Sequence, residues 1–149
     1  MSRGPVGRLP APSALCVALL LCSCVLVACG GVVSPDLFII ERSGPGKNGA
    51  LTVVVSEEGI VHCNRSAPHR LSDPALIEAR ALQEELQGPA SRHLSLPARP
   101  GSVYGYRVRD ANGSVSFADN SSGEPKVLEG LQYFALKVAE HVCALPGAG

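Results

Sequence analysis

The stretch that decides the fold is "VYGYRVRDANGSVSFAD", residues 103–119. Apolar and polar residues alternate on both sides of Asn112-Gly113, a dipeptide typical of a two-residue hairpin turn. With that turn we expect Val108 to face Phe117, and Tyr106 to face Asp119. Successive side chains of a strand point to opposite faces of the sheet. The predicted core side carries Tyr104, Tyr106, Val108, Val115 and Phe117, and the predicted outer side carries Arg107, Arg109, Ser114 and Ser116.

Three further runs rich in β-formers precede this hairpin. "LFIIER", residues 37–42, is apolar on both faces as far as Glu41, which is typical of a central strand. "LTVVV", residues 51–55, and "GIVHC", residues 59–63, flank a short turn that ends in Gly59. This arrangement predicts a second hairpin.

Two stretches have helical spacing of their apolar residues. Residues 72–87 predict a first helix, which we expect Gly88 and Pro89 to end. Residues 123–143 predict a second helix that opens at Ser121 or Ser122. The element order βββαββα indicates an α+β fold, with an antiparallel sheet of about five strands and both helices on one face.

The amino-terminal segment differs in composition from the rest of the chain. Arg3 and Arg8 precede residues 13–28, "SALCVALLLCSCVLVA", which carry no charge. A basic segment, an apolar segment and small residues at the end are the order of a signal peptide. The apolar run is shorter than the roughly twenty residues of a membrane-spanning helix. We therefore assign residues 1–28 to a signal peptide and exclude them from the fold.

The end of this segment, Leu26-Val27-Ala28-Cys29, resembles the lipobox of bacterial lipoproteins. The resemblance implies that the Cys29 thiol receives a diacylglycerol, that cleavage occurs before it, and that the lipid holds the protein at the extracytoplasmic face of the membrane. Residues 29–35 would then be a lipidated tether, and residues 36–149 a single α+β domain. Two alternatives remain open: an ordinary secretory cleavage that leaves Cys29 as a free thiol, or a retained signal anchor.

Lipidation of Cys29, as the resemblance implies, would leave Cys63 and Cys143 as the two thiols of the domain. In an oxidising compartment we expect them to form a disulfide. The alternative is a metal site completed by His62 or His141. It is less favoured because the adjacent His62 and Cys63 would point to opposite faces of a strand, and no Cys-x-x-Cys spacing occurs.

Charge and motifs narrow the classes of function. Without Arg3 and Arg8, 11 of the 13 basic residues remain against 13 acidic residues, a formal charge near −2 that does not predict nucleic-acid binding. No nucleophile elbow, metalloprotease helix or phosphate loop occurs, so we expect no catalytic residue, no metal and no cofactor. Asp110 and Asp119 are interpreted as residues beside the turn and at the strand end.

A candidate interaction surface combines two regions. The segment 88–102 has no periodic pattern and contributes Arg92, His93 and Arg99, and the outer face of the hairpin contributes Arg107 and Arg109. Loops on a rigid scaffold often carry binding sites, and two neighbouring arginines suit an anionic partner. The alternative is a plain connection between helix and hairpin, beside an ordinary solvated face.

The domain also resembles the emfourin-like protein inhibitors of thermolysin-type metalloproteases. It opens with "IIERSGPG", residues 39–46, continues to a helix, and carries "YGYRVRDANGSVSFAD" before a closing helix. Those inhibitors have Arg-Ser-Gly-Gly where Arg42-Ser43-Gly44 is followed here by Pro45. The resemblance assigns no inhibitory residue to this chain. The sequence thus predicts a non-enzymatic binding or inhibitory module with a membrane anchor and an unidentified protein partner. The alternatives are a small envelope hydrolase with His93 or His62 as base, or a structural envelope component.

Overall fold

A computed structural model describes Met1, residues 35–46 and residues 48–145 of the chain. The predicted lipobox, Cys29 and most of the predicted tether lie outside these residues. Within the described part, neither helix is long and apolar enough to cross a membrane.

One antiparallel sheet and two helices make up the described fold, which confirms the α+β prediction. In chain order the elements are β1 Asp36–Ser43, β2 Leu51–Ser56, β3 Ile60–Cys63, β4 His69–Arg70, α1 Asp73–Ser91, β5 Gly105–Asp110, β6 Gly113–Ala118 and α2 Lys126–His141. The strand order across the sheet is β4-β3-β2-β1-β5-β6. β1 therefore lies inside the sheet, between β2 and β5, as its two apolar faces predicted.

The sheet has six strands and not about five, because β4 adds a short edge strand. Its two residues, His69 and Arg70, pair with Val61 and Ile60 of β3. Two residues are too few to show an alternating pattern, so β4 has no periodicity that sequence analysis could detect.

The faces of the β5–β6 hairpin were predicted correctly, but the predicted register of its two strands was wrong. Val108 pairs with Val115 and Tyr106 with Phe117, and the turn is Ala111-Asn112. The Asp110 carboxylate accepts hydrogen bonds from the backbone N–H groups of Asn112 (2.8 Å) and Gly113 (3.0 Å), which favours this tighter position of the turn. Each residue moves by two places relative to its partner, so the alternation and the faces are unchanged.

Gly113 is needed for packing and not for the turn. A Cβ at this position would lie 2.4 Å from the carbonyl oxygen of Ala90 in the last turn of α1. The missing side chain lets the end of α1 approach the start of β6. The backbone of Gly113 also has a φ of 152°, so both the contact and the conformation favour glycine at this position.

Both helix boundaries differ from the prediction. α1 continues through Gly88 and Pro89 to Ser91. Pro89 and Ala90 are buried, so packing against the sheet outweighs the hydrogen bond that proline cannot donate. α2 begins at Lys126, because the Ser121 hydroxyl is used elsewhere: it accepts from the N–H of Ala118 and donates to the carbonyl of Pro97.

The core lies between one face of the sheet and the two helices. Phe38 of β1 meets Phe134 of α2 edge-on, with ring centroids 5.8 Å apart. The predicted core residues Tyr106, Val108, Val115 and Phe117 are all buried there, and Tyr104 is partly buried. Cys63 and Cys143 are buried at disulfide-bonding distance, 2.05 Å between sulfurs, where β3 ends and the chain leaves α2. This distance confirms the predicted pairing of the two cysteines.

Candidate interaction surface

The outer face of the sheet is the side opposite the core. Its side chains alternate with the core residues and include Glu41, Arg107, Arg109, Ser114 and Ser116. Arg107 and Arg109 are exposed, as the alternation predicted, while the serines are half-buried. Both described helices contribute their buried residues to the single core cluster on the other side, so no helix among the described residues covers this face.

Arg109 and Arg107 have different surroundings although they are neighbours on β5. The Nη2 of Arg109 donates to Oε1 of Glu41 at 2.9 Å, with both side chains partly exposed. Such a surface pair contributes at most about 1 kcal/mol to stability, but it gives each of the two charges a partner. Arg107 pairs in register with Glu41 on one side and Ser116 on the other, and it forms no salt bridge among the described residues.

The segment 92–104 lies along the free edge of β6. The N–H of Ser116 donates to the carbonyl of Leu94 at 2.9 Å, and the N–H of Leu96 donates to the carbonyl of Ser116 at 2.8 Å. These bonds satisfy backbone groups that an edge strand would otherwise leave exposed. The segment is therefore a fixed border of the sheet as well as a connection between α1 and β5.

Asp119 and Asn120, just after β6, fasten the far end of this segment. The Asp119 carboxylate accepts hydrogen bonds from the Ser102 hydroxyl (2.7 Å) and from the N–H groups of Val103 and Tyr104 (both 3.1 Å). Burial by itself would raise the pKa of Asp119, but these donors outweigh it and lower the pKa below the ordinary value. Asp119 therefore stays ionised and holds residues 102–104 in place.

Asn120 holds the neighbouring part of the same segment. Its Oδ1 accepts from the N–H of Arg99 at 3.0 Å, and its Nδ2 donates to the carbonyl of Arg99 at 3.1 Å. Sequence reasoning assigned Asp119 to the strand end correctly but did not identify either residue as a clamp. The only sequence feature that could have indicated it was the pair of short polar side chains directly after a strand.

A groove of about 420 Å³ runs between this segment and the outer face, and we call it the Arg107 groove. Leu96 and Ala98 form its wall, and the outer-face residues of three strands form its floor. The outer-face lining residues are Glu41, Ser43, Gly105, Arg107, Ser116 and Ala118. Four of these six are small or lack a side chain, so the floor is low, and Arg107 is the one cation among the six.

Arg42 lies behind the groove, on the core side of β1. It is only 5% exposed, its guanidinium lies 4.7 Å from the centre of the Tyr104 ring, and its Nη2 donates to the carbonyl of Asn48 at 2.8 Å. A Cβ on Gly44 would lie 2.3 Å from Tyr104, so glycine makes room for this ring. The motif Arg42-Ser43-Gly44 and the late tyrosine hairpin are thus in direct contact.

Tyr106 also belongs to this buried cluster. Its ring stacks on Phe117 with centroids 5.2 Å apart. Burial raises the pKa of the Tyr106 hydroxyl, and the nearby Arg42 opposes that rise only in part. The phenol therefore stays neutral beside the Arg42 guanidinium.

The predicted interaction residues do not all meet. Arg107 lines the groove, Arg109 is its neighbour on β5, and Arg99 directly follows Ala98 of the groove wall. Arg92 and His93 instead follow α1 and lie near Gly113, at the other end of β6. All five side chains are exposed, but Arg92 and His93 do not belong to the groove.

The residues considered for catalysis and metal binding are spread over the fold. Within residues 35–46 and 48–145, no three His, Cys, Asp or Glu side chains are placed to hold a metal ion. His62 lies on β3 and His93 near β6, four strand positions apart, or roughly 19 Å of sheet.

No family model, curated protein or solved structure matches the chain.

Proposed function

We propose that this chain is a bacterial cell-envelope lipoprotein, anchored by a lipid on Cys29, that works as a non-enzymatic binding or inhibitory module. The anchor draws on the lipobox-like Leu26-Val27-Ala28-Cys29 and the signal-like residues before it. From Cys29 to Asp36 the chain can extend by about 20–25 Å at most, so the domain would stay close to the membrane on the extracytoplasmic side.

The observation that carries the binding role is the open outer face with the Arg107 groove beside it. The groove has a fixed border, because backbone pairing with Ser116 and the clamps at Asp119 and Asn120 hold segment 92–104. Binding costs less free energy when the surface is already ordered. A preformed groove at the open side of a small scaffold suits a binding module better than a spacer.

The inhibitory form of the proposal draws on the resemblance to emfourin-like inhibitors. The two segments that carry this resemblance meet at Arg42, Gly44 and Tyr104, so they form one structural unit. Titrating thermolysin with the purified protein tests this form. A stoichiometric loss of protease activity is the expected result, and full activity at excess protein would leave binding without inhibition.

The anchor is tested by the intact mass of protein extracted from bacterial membranes. We expect a mature chain that begins at Cys29 and carries diacylglycerol, and a Cys29→Ala variant that leaves the membrane fraction. An unmodified Cys29 terminus, or an intact leader, would refute the lipoprotein proposal.

The binding role is tested by cross-linking in intact cells followed by capture from membranes in mild detergent. We expect a protein that is cross-linked to the domain and absent when the outer face carries a bulky label. The rival envelope hydrolase, with His93 or His62 as base, is tested on the same preparation. Ester or peptide turnover that a His93→Gln or His62→Gln substitution abolishes would replace the binding proposal.

A further inference from the structure

The geometry points to the Arg107 groove as a docking site for a short acidic peptide segment, in which an Asp or Glu carboxylate meets Arg107 and a small apolar side chain meets Leu96. This inference rests on the proposed binding function and names the surface and the chemistry of the partner. The partner is an extended loop or tail of a protein. The charge around the groove and the shape of the groove both support it.

The charge around the groove is positive although the chain as a whole is not. Arg107 has no salt-bridge partner among the described residues, whereas the one carboxylate of the outer-face lining, Glu41, is already bonded to Arg109. The Asp119 carboxylate is likewise occupied by its three donors. Among the residues that the structure describes, the charged groups around the groove are the cations Arg42, Arg99, Arg107 and Arg109 and the anions Glu41 and Asp119. The excess of guanidinium groups favours an incoming carboxylate, which an arginine can bind through two parallel hydrogen bonds.

The shape of the groove favours an extended chain. Gly105 and Ser43 lie side by side on the floor, and a Cβ on Gly105 would already be 3.2 Å from the Ser43 hydroxyl. A volume of about 420 Å³ is at the low end for ligand sites, which limits the occupant to a short segment. A low floor with one apolar wall accepts a peptide backbone that carries small apolar side chains on one side.

A polyanion such as a phosphate polymer fits these observations less well. Such polymers bind through many phosphate contacts to lysines and arginines. Here Arg107 is without a salt bridge among the described residues, Leu96 and Ala98 form an apolar wall, and the chain from Cys29 onward has a formal charge near −2. One cation beside an apolar wall matches an acidic peptide with small apolar side chains better than a chain of phosphates.

The test uses the detergent-solubilised full-length mature protein and two capped, fluorescent pentapeptides. One peptide alternates alanine, glutamate, valine, glutamate and alanine, and the other has glutamine in place of glutamate. We expect saturable anisotropy for the glutamate peptide, affinity at least about tenfold lower for the glutamine peptide, and weakening by added salt. Equal binding of both peptides, or no binding of either, would overturn the inference.

Matched variants locate the site. Arg107→Gln should weaken the glutamate peptide about tenfold, whereas Arg65→Gln, which removes an exposed arginine after β3, should not. Ala98→Glu adds a carboxylate to the groove wall and should also weaken binding, whereas Ala67→Glu adds one at an exposed position outside the groove lining. Circular dichroism and urea midpoints check that all four variants fold.

The remaining outcomes are also decisive. If Arg65→Gln weakens the peptide as much as Arg107→Gln, the attraction is general and the groove is not the site. If polyphosphate binds more tightly than the peptide, or the protein self-associates through this face, the assignment to an acidic peptide is wrong. If an envelope partner is cross-linked equally well to the Arg107→Gln variant, the Arg107 groove is not its binding site. The proposed binding function would still hold in that case.

Discussion

Removing the covalent link between Cys63 and Cys143 should destabilise this domain strongly. The two residues are 80 positions apart and join the end of β3 to the end of α2. In the chain-entropy model, a loop of this length loses enough freedom in the unfolded state to stabilise the fold by about 4.5 kcal/mol. Domains of this size are stable by roughly 5–15 kcal/mol, so the reduced protein should be close to marginal.

The assay is urea unfolding followed by far-ultraviolet circular dichroism, with and without a reductant. We expect reduction to lower the midpoint by about 1.5–4.5 M, the range given by this free energy and the usual dependence on urea. The reduced protein keeps both sulfurs in the core, so the change reports the link and not lost packing. The double variant Cys63→Ala/Cys143→Ala is the control and should not respond to reductant.

A thiol count separates the outcomes. In unfolding buffer, the mature lipidated protein should show no reactive thiol before reduction and two afterwards. Equal urea midpoints with and without reductant, together with two thiols reactive from the start, would refute the disulfide. A single thiol reactive before reduction would instead point to an unmodified Cys29.

Three further predictions concern one carboxylate that holds the segment 92–104 and two glycines that allow close packing nearby. The lowered pKa of Asp119 means that its contribution is present above the unfolded-state value near 4 and is lost as the pH falls through the lower folded value. Asp119→Asn should therefore cost about 1 kcal/mol at pH 7 and almost nothing near pH 2 in urea titrations, and a pH-independent difference would contradict this. Gly113→Ala should cost about 1–3 kcal/mol because its methyl meets the end of α1, and more than Gly101→Ala, which has positive φ but open space around it; equal losses would assign the effect to strain alone. Gly44→Ala should be destabilising in the wild type and clearly less so in a Tyr104→Ala background, because the two atoms nearest to the added methyl belong to that ring; additive losses in the double-mutant cycle would exclude this contact.

The sequence was informative about faces and much less about ends and registers. Alternation in residues 103–119 identified the buried side of β5 and β6 correctly, because a shift of two residues leaves the faces unchanged. The same insensitivity hid the true turn, which depends on the Asp110 carboxylate. Gly88-Pro89 is a strong local stop, yet α1 continues because Pro89 and Ala90 are buried against the rest of the fold.

The candidate surface was predictable only where it depends on local alternation. Exposure of Arg107 and Arg109 follows from the strand pattern of β5 alone. The salt bridge from Arg109 to Glu41 joins residues 68 positions apart, and it requires the pairing of β1 with β5. Without that pairing the two arginines look equivalent, and the structure makes them different: Arg109 is paired, and Arg107 forms no salt bridge with any residue that the structure describes.

Arg42 shows why a charged residue in a strand is a poor guide to the surface. Its position at the end of β1 suggests a solvated side chain, but it is buried under Tyr104 and bonded to the loop after β1. The same residue borders the Arg107 groove, whose floor includes Ser43 of the same motif. A buried cation stacked on an aromatic ring is stabilised only while both stay in place. Arg42 therefore couples the position of the groove floor to the loops around it, and a substitution at Gly44 or Tyr104 should alter the groove without touching any exposed residue of it.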